Sequence, residues 1–425
     1  MDEAHKGDAL TKKLGWRFHF LLGSTTASNL SDGILTVGIP LLAVTLTKSP
    51  LEISAISAAY AAPWLLLSIM AGAVVDRGDR RKILLIAQSA RITVLVIGLT
   101  ASAMDFLSIF LLLILVFAFG VAEVFADNAS AVLVPAVVVD ERLNAANGRV
   151  LGAQQVANGF VGGPVAGFLV AAGGVVLFGV PVLLCFVALS LIVFGLKGVW
   201  RPQEESRGPA LSEIREGVTF VVRHRVLRPL LICTTVSNLA SAGYFAVLVL
   251  WIVGPQSVVG LAAESYGLLL AALALGAVLG SLSAERLSGW VSDVPLIGFM
   301  WMASGILLAV PVLIPRPWVI AGAFVLIGFS STVGVVIAGT MRQRLVPDRL
   351  RGRVLGVARM LAYGMMPVGA LLAGFGGQVI GLAPVFVCAA ALSTLIALYF
   401  LISIKQESAS PPDPHPSSSP KRASH

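Results

Sequence analysis

Runs of roughly 20 apolar residues alternate along the chain with short breaks rich in charge, glycine or proline. Twelve such runs lie near 17–46, 52–75, 83–103, 106–134, 149–171, 174–196, 229–253, 265–284, 294–314, 317–341, 353–378 and 380–403. A helix rises about 1.5 Å per residue, so roughly 20 residues cross a hydrocarbon core of about 30 Å. The pattern predicts an all-α integral membrane protein with twelve transmembrane helices, numbered below as spans 1 to 12. Span 1 is not uniformly apolar. Thr25, Asn29, Asp32 and Thr36 recur at helical spacing and form a polar stripe suited to a water-filled cavity. Asp32 lies about 15 residues into its run, roughly 22 Å along a helix. A carboxylate at that depth is costly unless it is solvated, paired or protonated.

The spans divide six and six. The longest polar break, 197–228, carries Pro202, Pro209 and seven basic residues and follows the sixth span. The expected organisation is a cytoplasmic tail over 1–16, a six-helix bundle over 17–196, a cytoplasmic linker over 197–228, a second bundle over 229–403 and a disordered tail over 404–425. Within the linker, Leu211, Ile214, Val218, Phe220 and Val221 recur roughly at helical spacing, which predicts a short amphipathic helix on the inner membrane surface. The tail sequence SPPDPHPSSSPKR has the composition of disorder, and no function is assigned to it.

The two bundles are copies. TTASNLSDG (25–33) returns as TTVSNLASAG (234–243), and Asp76-Arg77 aligns with Glu285-Arg286 at the same 209-residue offset. LVPAVVVDERLNAANGRVLG (133–152) matches LVPDRLRGRVLG (345–356) once eight loop residues are dropped. Parallel repeats of six spans place a substrate path between the halves, near the bilayer midplane. The acids are not copied. Asp32 becomes Ser241, and alignment on the LVP segments pairs Glu123 with Val335 and Asp127 with Gly339. An acid required by the scaffold would be needed twice, so this asymmetry points to a task performed by the first half.

Composition fits this reading. Apolar residues make up 57% and charged residues 12% of the chain, and the mean hydropathy is +0.91. Residues 1–13 are polar and charged and do not have the form of a cleavable signal, so the amino terminus is expected in the cytoplasm. With that orientation only Lys48 and Arg316 of the 30 basic residues belong to outward connections. The positive-inside rule therefore accounts for the net charge of +8 without nucleic acid. Cys185, Cys233 and Cys388 lie far apart inside apolar runs and read as small core residues. No nucleophile-base constellation, metal-ligand cluster or phosphate loop is evident. The expectation is neither an enzyme nor a holder of metal or cofactor, with an ion gradient as its energy source. The partners expected are a small-molecule substrate, protons and the bilayer, for a monomer.

GAVVDRGDRRK (72–82), between spans 2 and 3, resembles the loop signature of the major facilitator superfamily. The resemblance covers about residues 15 to 403. It implies that Gly72, Asp76, Arg77 and Arg81 form a gating loop that helps to lock the halves together on the cytoplasmic side. ANGFVGGPVAGFL (157–169), with Gly159, Gly163, Pro164 and Gly167 in span 5, is similar to the Gly-Pro motif of the exporting, antiporter branch. Glycines at i, i+4 and i+8 give a smooth helix face, and Pro164 removes a backbone hydrogen bond. The pattern LVPxxxxxxxLNAANG resembles a branch that contains macrolide-type and enterobactin exporters. The superfamily's common arginine in span 4 has no counterpart between Phe106 and Pro135, so its usual proton relay does not carry over whole.

Glu123 and Asp127 stand one turn apart in span 4, and two such carboxylates resist simultaneous ionisation. Asp32, Glu123 and Asp127 are therefore the candidates for proton coupling. Arg91 and Arg359 either pair with buried acids or snorkel to the inner interface. Asn29, Gln155, Asn158, Asn238, Tyr244 and Tyr363 are candidates for the substrate cavity. The reading is a secondary active transporter of the cell membrane, with both termini cytoplasmic, exporting an amphiphilic small molecule in exchange for protons. A nutrient importer of the same architecture is an alternative, which the span-5 motif disfavours. A non-transporting sensor or assembly partner is another, and the intramembrane acids weigh against it.

Overall fold

The computed structural model describes residues 14–200 and 210–409, and within them the chain is a set of helices without named strands. Eleven of the helical runs are long and apolar enough to cross a membrane. Span 1 is Trp16–Leu46, span 2 Pro50–Arg77, span 3 Arg80–Ala103, span 4 Ile109–Val137 and span 6 Gly174–Gly195. Spans 7 and 8 are Leu227–Ile252 and Ala263–Trp290. Span 9 comprises Asp293–Leu307 and Val310–Leu313, and spans 10 to 12 are Pro317–Leu345, Asp348–Val379 and Leu382–Ala409. The predicted tail from 410 onward, most of the amino-terminal tail and 201–209 of the linker lie outside the described residues.

Span 5 departs from the expected single helix. It begins earlier than predicted, as Leu143–Gln154, continues as the π-helix Gln155–Val161 and resumes as Gly162–Ala171. Pro40, Pro63, Pro135, Pro181 and Pro367 also lie inside spans, yet their helices stay α-helical. The difference in span 5 is the group Gly159, Gly162 and Gly163 just before Pro164, which weakens the helix where the proline has no N–H to donate. The ladder is re-registered there, and the Gly162 N–H donates to the Ala157 carbonyl.

Polar side chains cap the starts of spans 2, 3 and 4. Ser49 Oγ accepts from the Glu52 N–H, Ser108 Oγ from the Leu111 N–H, and Asp79 from the N–H groups of Arg81 and Lys82. Each satisfies donors that a helix start leaves free. Asp79 thereby begins span 3 immediately after the span-2 turn, a role that sequence analysis had not assigned to it.

Packing repeats with the sequence. In the first half, span 1 lies on spans 5 and 6, and span 4 on spans 2 and 3; span 3 also meets span 6. The second half copies this, with span 7 on spans 11 and 12, span 10 on spans 8 and 9, and span 9 on span 12. The halves meet along two seams, span 2 with span 11 and span 5 with span 8. Small residues allow the closest approaches. A Cβ on Gly276 of span 8 would fall 1.9 Å from the Val325 carbonyl oxygen of span 10, and one on Gly33 of span 1 would fall 2.4 Å from the Asn158 carbonyl oxygen of span 5.

The seams are closed at one end. At the end where spans 1 and 2 connect, Ser49 Oγ donates to Gln378 Oε1 at 3.0 Å. There Gly374 and Gly377 of span 11 sit against Pro50, and Gly167 of span 5 sits against Ala263 and Glu264 of span 8. At the opposite, basic end, Met70, Val74, Leu151 and Val156 of the same seam helices are exposed. A Cβ on Gly72, Gly148, Gly152 or Gly356 there would meet nothing within 4 Å. Between the halves, Ala210–Arg223 forms the expected helix, which packs on spans 11 and 7 with Val221 buried.

Alanine should have opposite effects at two span glycines. Gly276→Ala is expected to lower stability by about 1–3 kcal/mol through overpacking. Gly322→Ala, whose Cβ meets nothing within 4 Å, is expected to be neutral or to gain up to about 1 kcal/mol from helix propensity. Thermal unfolding of the detergent-solubilised variants checks the pair, and equal shifts would show that the span 8 to span 10 approach is not close.

Candidate functional site

Two one-turn pairs face each other across spans 1 and 3. Ser28 and Asp32 are spaced i, i+4 on span 1, and Gln88 and Arg91 are spaced i, i+3 on span 3, so each pair shares a helix face. Arg91 is fully buried and forms an ion pair with Asp32, whose side chain is 3% exposed. Ser28 Oγ accepts from Arg91 Nη1 and, at 2.9 Å, from Gln88 Nε2. The Arg91 guanidinium also lies over the ring of Phe119 in span 4, 4.5 Å from its centroid. A buried guanidinium is tolerated only when its charge and donors are met together, and this arrangement supplies an acid, a hydroxyl and an aromatic face.

Phe119, Glu123 and Asp127 stand one turn apart on span 4, so the face that covers Arg91 also carries both acids. Tyr60 of span 2 stacks on Phe119 at 6.5 Å with a 19° interplanar angle. Its hydroxyl lies near Thr36 and Glu123. Glu123 is buried, and its Oε2 has no hydrogen-bond partner. Asp127 is half-buried, and beside it Asn128 Nδ2 donates to the Val124 carbonyl at 2.7 Å. Arg91 pairs with Asp32 and lies over the ring of Phe119, one turn before Glu123 and two before Asp127. With three carboxylates and one guanidinium on these neighbouring faces, full ionisation would leave the set with excess negative charge in a low-dielectric interior.

The structure therefore resolves the two options for Arg91 in favour of pairing. Its position eleven residues after Arg80 permits snorkelling, but the rotation of that helix turns the side chain inward against span 1. For Arg359 the helix is described and the side chain is not. Ser28, Tyr60, Gln88 and Phe119 had been passed over. The i, i+3 spacing of Gln88 and Arg91 within an apolar run was the available signal for a buried polar face.

The cavity candidates separate. Gln155, on the π-helical segment, is exposed, Asn158 is half-buried, and Tyr363 is 51% exposed with its ring 6.1 Å from Trp64 across the span 2 to span 11 seam. Asn238 Nδ2 donates to the Ala362 carbonyl at 3.3 Å and ties span 7 to span 11. Asn29 and Tyr244 correct the expectation for this conformation. Asn29 is buried and donates to the Thr25 carbonyl of its own helix at 2.9 Å. Tyr244 is fully buried against Phe245 and Phe386. Trp251 is also packed, with Nε1 donating to the Pro311 carbonyl.

The two motifs lie on opposite sides of this site. Gly163 and Gly167 of span 5 face span 8, with Gly163 opposite Gly267, while Gly159 leaves room toward Ala274. Pro164 sits just beyond the π-helical turn. At the basic end Asp76 and Arg77 are exposed, Gly72 has open space beside it, and Arg81 Nη2 donates to the Val193 carbonyl of span 6 at 3.4 Å.

The transmembrane secretion effector family model matches residues 16–421. The chain is 28% identical over 386 residues to the multidrug efflux pump Tap of Mycobacterium tuberculosis, a match that covers 83% of this chain and 85% of that protein. With the pump of the same name from Mycolicibacterium fortuitum it shares 26% identity over 405 residues, covering 90% and 94%. Among solved structures, the nucleoside transporter NupG superposes with a TM-score of 0.70 at 11% identity, covering 92% of this chain and 99% of that one. A bacterial homologue of the lysosomal transporter Spinster, in an inward-facing, unoccupied conformation, gives 0.70 at 15% identity, covering 94% and 100%. At these identities the structural matches show the fold alone. The family match, the twelve helical spans in two copied bundles and the superfamily fold lead to one conclusion: the chain belongs to the transmembrane secretion effector family of the major facilitator superfamily, and is a multi-pass membrane transporter rather than an enzyme.

Proposed function

We propose that this transporter exports an amphiphilic small molecule in exchange for protons by alternating access. The observation that carries the reading is the acid set of Asp32, Glu123 and Asp127 around Arg91, which is confined to one of two otherwise copied halves. The name of the Mycobacterium and Mycolicibacterium relatives, multidrug efflux pump, supports export, and so does the span-5 motif. The seams are closed where Ser49 meets Gln378 and apart at the basic end, an arrangement suited to receiving substrate from the cytoplasm when the termini are cytoplasmic.

The chemistry follows from charge. Three carboxylates around one guanidinium gain by binding protons when the site is open to the outside, and they release them when it opens inward to the less acidic cytoplasm. Glu123 is the best-placed carrier, because its free Oε2 leaves an atom to receive a proton while Asp32 stays committed to Arg91. Gln155, Asn158 and Tyr363, on the two seams, would offer the few polar and aromatic contacts that an amphiphilic substrate needs. Asp76, Arg77 and Arg81 would close the basic end in the opposite state, with inner-end groups of the second half as partners.

Two outcomes test this reading. Glu123→Gln keeps the side-chain shape and removes the titration. In proteoliposomes carrying an imposed pH gradient it should reduce uphill accumulation of an amphiphilic dye at least about tenfold, the size expected for a positioned proton-transfer group, and should leave downhill exchange intact. Undiminished pH-driven accumulation would remove Glu123 from the mechanism. In a Cys388→Ser background, a short bismaleimide bridge between S49C and Q378C should stop turnover, since outward opening must separate these positions. Transport that survives full cross-linking would rule out opening at that seam.

A further inference from the structure

The basic end of spans 1, 3 and 6 holds a group of nitrogen donors, of which the transport reading uses Arg81 alone. The Arg80 N–H donates to the Trp200 carbonyl at 3.2 Å, which holds the segment after span 6 against the start of span 3. The Arg17 guanidinium lies over the Trp200 ring, 5.5 Å from its centroid, and also over Trp16 at 5.7 Å. Arg81, on the next residue of span 3, reaches Val193 of span 6. Within this group Arg80 Nε, Arg81 Nε and Trp200 Nε1 are buried atoms with no hydrogen-bond partner.

Buried N–H groups are nearly always paired, so three orphans on neighbouring residues at this end call for an acceptor. Two of them belong to guanidiniums, which selects an anion, and their planar forks suit phosphate oxygens. The adjacent acid, Asp79, is engaged with the backbone N–H groups of Arg81 and Lys82. The surrounding surface is apolar. Ile86 of span 3, Val193 and Phe194 of span 6, and Val199 beyond it are exposed beside the donors. A free anion has no use for such a surface, whereas acyl chains do.

We propose that this end of spans 1, 3 and 6 is a binding site for an anionic phospholipid, whose phosphate accepts from Arg80, Arg81 and Trp200 and whose charge is shared with Arg17. The acyl chains would run along the exposed faces of spans 3 and 6. A bound headgroup would join span 3 to the segment that follows span 6, next to the gating loop. It would thereby brace the first half on the side where the seams open.

The site is tested by native mass spectrometry of the full-length protein in detergent, titrated with phosphatidylglycerol, with phosphatidylcholine and with inorganic phosphate. Phosphatidylglycerol should be retained in preference to phosphatidylcholine, whose choline cation opposes the guanidiniums. Arg80→Gln should weaken retention about fivefold, the worth of one basic group near an anionic lipid. Trp200→Phe keeps the ring and deletes one donor, and should weaken retention by a similar factor. Arg149→Gln, at an exposed arginine on the basic end of span 5, should leave retention unchanged. Inorganic phosphate at the same concentration should not displace the lipid. Equal retention of the two lipids, an Arg149→Gln loss as large as that of Arg80→Gln, or displacement by inorganic phosphate would each overturn the proposal. Because Arg80, Trp200 and Arg17 lie outside the acid set, failure here would leave the transport reading standing.

Discussion

A cation inside a membrane protein has to be neutralised where it stands, and Arg91 meets that constraint through Asp32. Spans 1 and 3 are held in register by the two one-turn pairs that face each other, with Ser28 receiving both Gln88 and Arg91. Side chains of spans 2 and 4 are arranged around that contact. Phe119 covers the guanidinium, Tyr60 covers Phe119, and Glu123 lies one turn further along span 4 under Tyr60. Removing one partner of a buried pair leaves a charge without compensation, at a cost of about 3–5 kcal/mol. Asp32 is thus a structural requirement of Arg91 as well as a member of the acid set.

The two halves show how one scaffold supports different interiors. The helix-on-helix pattern is repeated, with close glycine approaches in both copies. The interiors diverge in their side chains. Where span 1 presents Asp32 to a guanidinium, span 7 presents the wholly buried Tyr244 to phenylalanines. The seam helices carry small residues at the closed end and a π-helical turn midway along span 5.

Much of this was legible in the residues. A membrane span needs only length and hydropathy, so the twelve runs, their division into two sets and the parallel repeat could be read directly. The loss of the acids from the second copy could be read in the same way. The break in span 5 could not, because five other prolines sit inside unbroken spans, and the outcome depends on the glycines that precede Pro164. The fate of Arg91 depends on the rotation of span 3 relative to span 1, which a single helix does not encode. Asn29 and Tyr244 share the polarity of true cavity residues, and only packing against neighbours shows that both are enclosed here.

The dependence of the first half on the Arg91–Asp32 contact is most directly measured by a double-mutant cycle of thermal stability in detergent, using Asp32→Asn, Arg91→Gln and the two combined. The account predicts that each single change costs about 3–5 kcal/mol and that the double variant costs far less than their sum. Losses that add would contradict it, because they would mean that the two charges are satisfied independently.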